Sequence, residues 1–203
     1  VEVNRYAFGQ ADVAIRGYSQ PYQPRLLVLV NGRQVYLDFY AFTSWASLPV
    51  QPGEIQQIEV IKGPQSALYG FNAVAGVINI ITRDAAAGDY AAADLQLGQN
   101  DYGLASFAAG RSFGERASAR ISLGYSEASE FDTGRRGGDT PFIPGTESFL
   151  RGAPVERFQA ALAGGYRLTD KVRVTGELTY AATEQPEFLP FYTYYSTDLE
   201  TFS

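Results

Sequence analysis

The chain has 203 residues and a formal net charge of −6, and it contains neither cysteine nor histidine. This composition excludes disulfides, thiolate zinc sites and catalysis by cysteine or histidine, and the acidic balance argues against a nucleic-acid partner. No apolar run approaches the roughly 20 residues of a membrane-spanning helix, which leaves a soluble β-protein and a transmembrane β-barrel as alternatives.

The first part of the chain shows short strand patterns separated by turn residues. Residues 11–17 indicate a strand that ends at a glycine. Residues 26–30 (LLVLV) indicate a buried strand, because they form a continuous apolar run between turn residues. The Asn31-Gly32 pair then predicts a tight hairpin, with a return strand over residues 33–36.

The next segment combines two β-branched runs with a compact stretch rich in glycine. Pro52 is expected to open a short helical turn, and a strand is predicted over residues 57–62, followed by a short helix over residues 65–69. A further strand over residues 74–82 is predicted to kink at Gly76. The chain shows no phosphate-binding glycine pattern, no calcium-loop spacing and no catalytic constellation, so no cofactor, metal or enzymatic activity is expected.

From Ala91 onward the residue types alternate with a period of two. In the clearest case, residues 117–125, apolar residues and a final tyrosine occupy one face, while serine, arginine and glycine occupy the other. The same alternation predicts strands over residues 91–97, 103–112, 157–167 and 172–180. Five strands of about ten residues each match the length that a tilted strand needs to cross a bilayer.

The connections between these strands alternate in length. Those at residues 113–116 and 168–171 are tight, whereas residues 127–154 form a long polar connection. Residues from 184 onward are predicted to form another long loop. Short turns at one rim and long loops at the other are typical of an outer-membrane barrel.

Tyrosines at the strand ends favour the barrel over a soluble sandwich. Tyr125, Tyr166 and Tyr180 end the apolar faces, as the aromatic girdles of transmembrane barrels require. Five strands cannot close into a barrel, and open edges are not tolerated in hydrocarbon. The chain is therefore expected to be the N-terminal part of a larger barrel protein.

Motifs in the first part carry a family resemblance. They are Ala14-Ile-Arg-Gly17, Leu26-Leu-Val-Leu-Val-Asn-Gly32, Gly63-Pro64, Ser66-Ala-Leu-Tyr-Gly70 and Gly76-Val-Ile-Asn-Ile80. In order and spacing they are similar to the plug motifs of TonB-dependent outer-membrane receptors, whose large barrel is filled by an N-terminal plug domain. The resemblance implies an α+β fold for the later part of a plug over residues 1–84. The first antiparallel strands of an incomplete transmembrane β-barrel would follow over residues 85–203.

The resemblance also implies a function and partners. The protein would import a scarce, bulky solute of the ferric siderophore or cobalamin class across the outer membrane of a Gram-negative bacterium. TonB would supply the energy through a coupling box that this chain lacks, and the lipid bilayer would surround the barrel. A ligand-sensing and signalling receptor and a glycan-uptake receptor of the same architecture are the alternatives.

Two basic residues fall on positions that the resemblance assigns to an ionic lock between plug and barrel. They are Arg16 and Lys62, and their carboxylate partners would lie on strands beyond Ser203. Charge pairs in a wet lumen are individually modest, which suits a plug that must sit firmly and still move. The alternative is that both are ordinary solvated charges beside glycine turns.

Two loops of the plug are predicted to face outward and to contact the solute. Rigid aromatic side chains with amide neighbours suit the binding of a bulky ligand. The alternative is that these rings pack against the plug core or the barrel wall. The candidate residues are Tyr18, Gln20, Tyr22, Gln23, Phe39, Tyr40, Phe42 and Trp45.

Overall fold

A computed structural model describes residues 1–7, 10–15, 17, 25–35, 43–129, 154–189 and 193–202. In the first part of the chain these residues form β1 (Glu2–Ala7), β2 (Gln10–Ala14), β3 (Leu26–Val30), β4 (Arg33–Gln34), a 3-10 turn (Pro52–Glu54), β5 (Ile55–Lys62), α1 (Ser66–Tyr69) and β6 (Gly76–Thr82). In the second part they form β7 (Tyr90–Leu97), β8 (Gly103–Phe113), β9 (Ala117–Ser129), β10 (Pro154–Thr169), β11 (Val172–Leu189) and β12 (Thr193–Phe202).

Strands β3 to β6 form a mixed sheet in the order β4-β3-β6-β5, hereafter the small sheet. β3 pairs in parallel with β6, while β4 and β5 pair antiparallel with their neighbours. All of β3 is buried, because one of its faces packs with Val13 and Ile80 and the other packs with Ala73 and Val77. The prediction of a strand covered on both faces is confirmed. β1 and β2 form a separate antiparallel hairpin.

The turn after β3 is the predicted tight hairpin. Asn31 and Gly32 both have positive φ, at 51° and 77°, as a two-residue hairpin turn requires. The Asn31 Oδ1 atom accepts hydrogen bonds from Thr82 N at 2.9 Å and from Thr82 Oγ1 at 3.0 Å. An asparagine here therefore closes the hairpin and also fixes the end of β6. The return strand is shorter than predicted, and Tyr36 lies outside the described residues.

The second part forms one antiparallel sheet in which β7 to β12 are neighbours in chain order, hereafter the large sheet. Its apolar face is exposed and its polar face is buried against the small sheet, which is the reverse of a soluble sandwich. The exposed face includes Leu95, Phe107, Ile121, Leu123, Phe158, Leu162, Val174 and Leu178. The buried face includes Ser118, Arg120, Ser122, Ser126, Thr179, Thr183 and Gln185.

Aromatic side chains lie at both ends of the exposed apolar face. Tyr125 and Phe158 are paired near the long β9–β10 connection, whereas Tyr166 lies near the tight turns at the opposite end. These rings are 42–48% exposed, so they stand on the surface that a bilayer would contact. Two aromatic rows bounding an apolar band are the pattern of a transmembrane barrel.

The strand count and the last predicted loop are corrected by the structure. The large sheet has six strands in the described residues, where alternation predicts five. The predicted long loop from residue 184 onward is wrong, because β11 continues to Leu189 and Glu184 pairs with Asp198 on β12. Backbone pairing in a long hairpin requires no alternation of residue type. The boundary between residues 84 and 85 stays a prediction.

The other predicted elements are confirmed with small shifts at their ends. The 3-10 turn begins at Pro52, the helix covers Ser66–Tyr69, and β6 begins at Gly76 rather than kinking there. β1 was not predicted. None of the helices in the described part of the chain has the length and apolar character that crossing a bilayer demands.

Candidate functional site

On the buried face of the large sheet, a row of paired residues crosses the strands at Arg120. The register places Gly110 on β8 and Ala163 on β10 on either side of Arg120, and Glu177 on β11 beyond Ala163. Because Ala163 is small, the Arg120 side chain reaches across β10, and its Nη2 atom donates to Glu177 Oε1 at 2.7 Å. The row therefore presents a buried cation beside a carboxylate.

Glu54, at the end of the 3-10 turn, meets this row from the side of the small sheet. Its Oε1 atom accepts hydrogen bonds from Gln51 N at 2.8 Å and from Ser122 Oγ at 2.9 Å. Its Oε2 atom lies 3.6 Å from Arg120 Nε. The Glu54 residue is 0% exposed and Arg120 is 7% exposed. Glu54, Arg120 and Glu177 thus form a buried ionic cluster between the two sheets.

The charge of Glu54 depends on Arg120. Burial raises the pKa of the Glu54 carboxyl above its ordinary value of 4.5, while the Gln51 N–H and the Arg120 guanidinium oppose the rise. Oε2 has no hydrogen-bond partner among the described residues. Arg120 is therefore the cation that compensates for burying this oxygen, and its removal would raise the pKa of Glu54 further.

The buried ionic cluster is connected to the hairpin of the small sheet. Arg120 Nη1 donates to Thr82 Oγ1, and Thr82 Oγ1 donates to Asn31 Oδ1. The end of β6 is therefore fixed on one side by the Asn31 turn and on the other by the large sheet. One guanidinium links the 3-10 turn, β6 and β11.

A second contact, made by uncharged groups, lies beside the cluster. Gln51 Nε2 donates to Gln159 Oε1 at 2.8 Å, and Gln159 Nε2 donates to the Ala46 carbonyl oxygen at 3.0 Å. The Gln51 amide lies over Gly124 on β9, in space that a side chain at that position would occupy. The absence of a side chain at Gly124 is what lets the 3-10 turn approach the large sheet.

A third contact ties the connection between β6 and β7 to β11. Arg173 donates to both oxygens of Asp84, with Nη1–Oδ2 at 2.8 Å and Nη2–Oδ1 at 3.0 Å. Arg173 Nη2 also donates to Ser118 Oγ at 3.2 Å. Hydrogen bonding to Arg173 is the main cause that lowers the pKa of Asp84 from 3.8 to about 2. The chain is thereby held in place where it passes from one sheet to the other.

We expect Asp84→Asn to lower the free energy of unfolding by about 0.5–1 kcal/mol at neutral pH, the range for a well-formed but half-exposed ion pair. The folded-state pKa of Asp84 is lowered, so its contribution is complete above the ordinary pKa of 3.8 and is lost as pH falls through about 2. Urea denaturation of both proteins between pH 7 and pH 2.5 measures the difference, with the exposed turn variant Asp170→Asn as control. If the difference in unfolding free energy between the original protein and Asp84→Asn does not become smaller toward acid pH, the ionised Asp84 carboxylate is not its cause.

Of the sequence-predicted site residues, the described part of the chain contains Lys62 and Trp45, and neither takes part in these contacts. Lys62 is exposed at the end of β5 and forms no ion pair within the described residues, and Arg16 lies outside them. Trp45 is half-buried and packs against the core of the small sheet. The other candidates lie outside the described residues: Tyr18, Gln20, Tyr22, Gln23, Phe39, Tyr40 and Phe42. The ionic lock and the ligand contacts therefore stay predictions.

Sequence reasoning missed the residues that join the two sheets. Glu54, Arg120 and Glu177 were not singled out, although alternation placed Arg120 and Glu177 on the polar face of their strands. A charged residue on the polar face of a predicted barrel strand is the signal that would have identified Arg120. No comparable signal exists for Glu54, whose burial depends on the docking of the whole 3-10 turn.

In this structure a small mixed sheet packs on the polar, inward face of an antiparallel sheet whose apolar face is exposed. This arrangement is that of the plugged β-barrels. Residues 1–77 match the family model of the TonB-dependent receptor plug domain. They therefore form such a plug domain, and the resemblance of the chain to TonB-dependent outer-membrane receptors is confirmed. The small sheet belongs to the plug, and the large sheet is the barrel wall.

Curated relatives and solved structures are consistent with this family. The chain is 34% identical over 122 residues to the vitamin B12 transporter BtuB of Vibrio vulnificus strain CMCP6, covering 60% of this chain and 19% of that protein. The ferripyoverdine receptor of Pseudomonas aeruginosa has a TM-score of 0.61 at 15% identity and is matched over 90% of this chain and 21% of its own. The siderophore receptor PiuA of Acinetobacter baumannii has a TM-score of 0.57 at 23% identity, over 86% and 21%. The chain spans about a fifth of the length of these proteins.

Proposed function

We propose that the chain belongs to an outer-membrane receptor that binds a scarce, bulky solute and imports it with energy supplied through TonB. The observation that carries the proposal is the polar contact between plug and barrel wall, made by Glu54, Gln51 and Asp84 with Arg120, Gln159 and Arg173. Water can replace each of these bonds when the plug moves, whereas an apolar contact would have to expose hydrophobic surface. Such an interface suits a plug that is displaced and reseated.

The proposed solute is of the ferric siderophore or cobalamin class, and the proposed location is the outer membrane of a Gram-negative bacterium. This proposal is supported by the proteins that the chain resembles, which include a vitamin B12 transporter and a ferripyoverdine receptor. The exposed apolar face of the large sheet would contact the bilayer. Arg16 and Lys62 remain the proposed ionic lock. The aromatic and glutamine side chains of the two outward plug loops remain the proposed ligand contacts.

The proposal predicts energy-dependent uptake by cells that express the full-length gene product. Cells with the gene and cells with a deletion are supplied with radiolabelled cobalamin or an iron-loaded siderophore, with and without a protonophore. We expect uptake of one of the two solutes to require both the gene and the proton gradient, because TonB draws on that gradient. Uptake that persists after the gradient collapses would contradict energy coupling, and a gene product that does not fractionate with the outer membrane would contradict the location.

A further inference from the structure

A groove crosses the outward, apolar face of the large sheet near the tight turns. Its volume is about 670 Å³, and its apolar lining includes Ala109, Phe113, Ala119, Ile121 and Leu162. The two alanines form its floor, and Ile121, Leu162 and Phe113, which are 42–56% exposed, stand beside it. An apolar groove of this volume, on a surface that would contact hydrocarbon, has room for part of a linear apolar chain.

Two charged side chains, Asp89 and Arg111, also line the groove, beside its apolar residues. Arg111 alternates in phase with Phe107, Ala109 and Phe113 and therefore points outward with them. Its side chain is 74% exposed, and its guanidinium lies 5.8 Å from the centre of the Phe113 ring. An arginine on the lipid face of a barrel is destabilising, less so near the interface than at greater depth. An anionic headgroup beside it would offset this cost.

Asp89 supplies the matching negative charge and is held in a fixed position. Its Oδ1 atom accepts hydrogen bonds from Ser112 N at 2.8 Å and from Ser112 Oγ at 3.0 Å. These bonds, above all that from the Ser112 backbone, lower the pKa of Asp89. Asp89 Oδ2 is 4.0 Å from Arg111 Nε, a separation that leaves most donors of the guanidinium available to another anion.

We propose that this groove binds a zwitterionic glycerophospholipid, with its phosphate on Arg111, its primary ammonium on Asp89 and an acyl chain over Ala109 and Ala119. A guanidinium and a carboxylate side by side are complementary to a phosphate and an ammonium side by side, and guanidinium pairs with phosphate in a bidentate geometry. The carboxylate of Asp89 disfavours a lipid with a second negative charge. The proposal rests on the proposed location in the outer membrane but does not depend on transport.

Native mass spectrometry of the full-length protein, released from lipid nanodiscs, tests the site. Three lipids are the probes, and the first is phosphatidylethanolamine. Phosphatidylcholine has no N–H donors, and phosphatidylglycerol has no ammonium group. Retention of phosphatidylethanolamine is expected to exceed that of the other two. Arg111→Gln is expected to weaken it about tenfold, the effect of losing one charge-assisted hydrogen bond. Arg116→Gln, an exposed arginine in the adjacent turn, is the matched control and is expected to retain the lipid.

A second variant tests the groove independently of charge. Ala119→Phe fills the floor and is expected to reduce retention while leaving Arg111 and Asp89 in place. The site would be overturned if the original protein, Arg111→Gln and Ala119→Phe all retained phosphatidylethanolamine equally. It would also be overturned if the original protein retained the three lipids equally. A protein that does not insert into nanodiscs would instead overturn the location in the membrane and the site with it, so the two failures are distinguishable.

Discussion

Arg120→Met is expected to weaken the docking of the plug against the barrel wall by about 3–5 kcal/mol, because removing one partner from a buried ion pair leaves an uncompensated charge. Two carboxylates would be left, since Arg120 lies between Glu54 and Glu177 at 3.6 and 2.7 Å. Methionine fills a similar volume, so the loss reports charge rather than a cavity. The bond from Arg120 to Thr82 would be lost as well.

Amide hydrogen exchange at Gln51 measures this effect locally, because Gln51 N–H donates to Glu54 Oε1. Urea denaturation measures it for the whole protein. Arg116→Met, at an exposed position, is the matched control and is expected to change little. Adding Glu54→Gln to Arg120→Met should restore part of the loss. If the double variant is no more stable than Arg120→Met alone, the buried charge of Glu54 is not the cause.

The loss in Arg120→Met should also depend on pH. Burial raises the pKa of Glu54 and Arg120 opposes the rise, so the pKa is higher still in the variant. A carboxyl with a raised folded-state pKa binds its proton more tightly when folded, and this favours the folded state as pH falls through that pKa. The defect should therefore be largest at neutral and alkaline pH and smaller at acid pH. A defect that is constant with pH would contradict the assignment of the loss to the buried charge of Glu54.

The alternation of residue types predicted which side chains of the large sheet share a face. In residues 117–125 it placed Arg120 and Ser122 on one face, and these are the side chains that the small sheet covers. The apolar partners Ile121 and Leu123 are more than 40% exposed. Alternation reports only that two faces differ; the positions of the tyrosines and the lengths of the connections favoured the apolar face as the outward one.

The last hairpin could not be predicted from alternation. Residues 184–198 mix aromatic, acidic and proline residues without a period of two, yet β11 and β12 remain paired from Leu189 back to Tyr180. Backbone hydrogen bonds pair the two strands of an antiparallel hairpin whatever the order of its residue types. Because these residues lack a period of two, alternation alone does not detect the strands that they form.

The buried ionic cluster was unpredictable for a different reason. Glu54, Arg120 and Glu177 come from three elements, and their contact depends on the register that places Ala163 between Arg120 and Glu177. A shift of one residue in either strand pair would turn one partner to the exposed, apolar face of the sheet. Sequence patterns fixed the face on which Arg120 lies, but only the register and the docking of the 3-10 turn determine its partners.

Gly124→Ala is expected to destabilise the docked plug by about 1–3 kcal/mol, the usual cost of an added methyl group in a packed contact. The new Cβ would overlap the Gln51 amide. Gln51 is 4% exposed, and its amide can turn away only by giving up the hydrogen bond to Gln159 Oε1. The substitution thus separates the 3-10 turn from β9 without removing any charged group.

Gly176→Ala is the matched control for Gly124→Ala, because it lies in the same sheet and an added Cβ there meets no atom within 4 Å. Urea denaturation should show a loss for Gly124→Ala only, since both variants change the backbone freedom of the unfolded chain equally. A double-mutant cycle with Gln51→Ala isolates the steric conflict: once the Gln51 amide is gone, Gly124→Ala should cost no more than Gly176→Ala. Equal losses at Gly124 and Gly176 in the original protein would mean that the plug does not rest on β9 at this point.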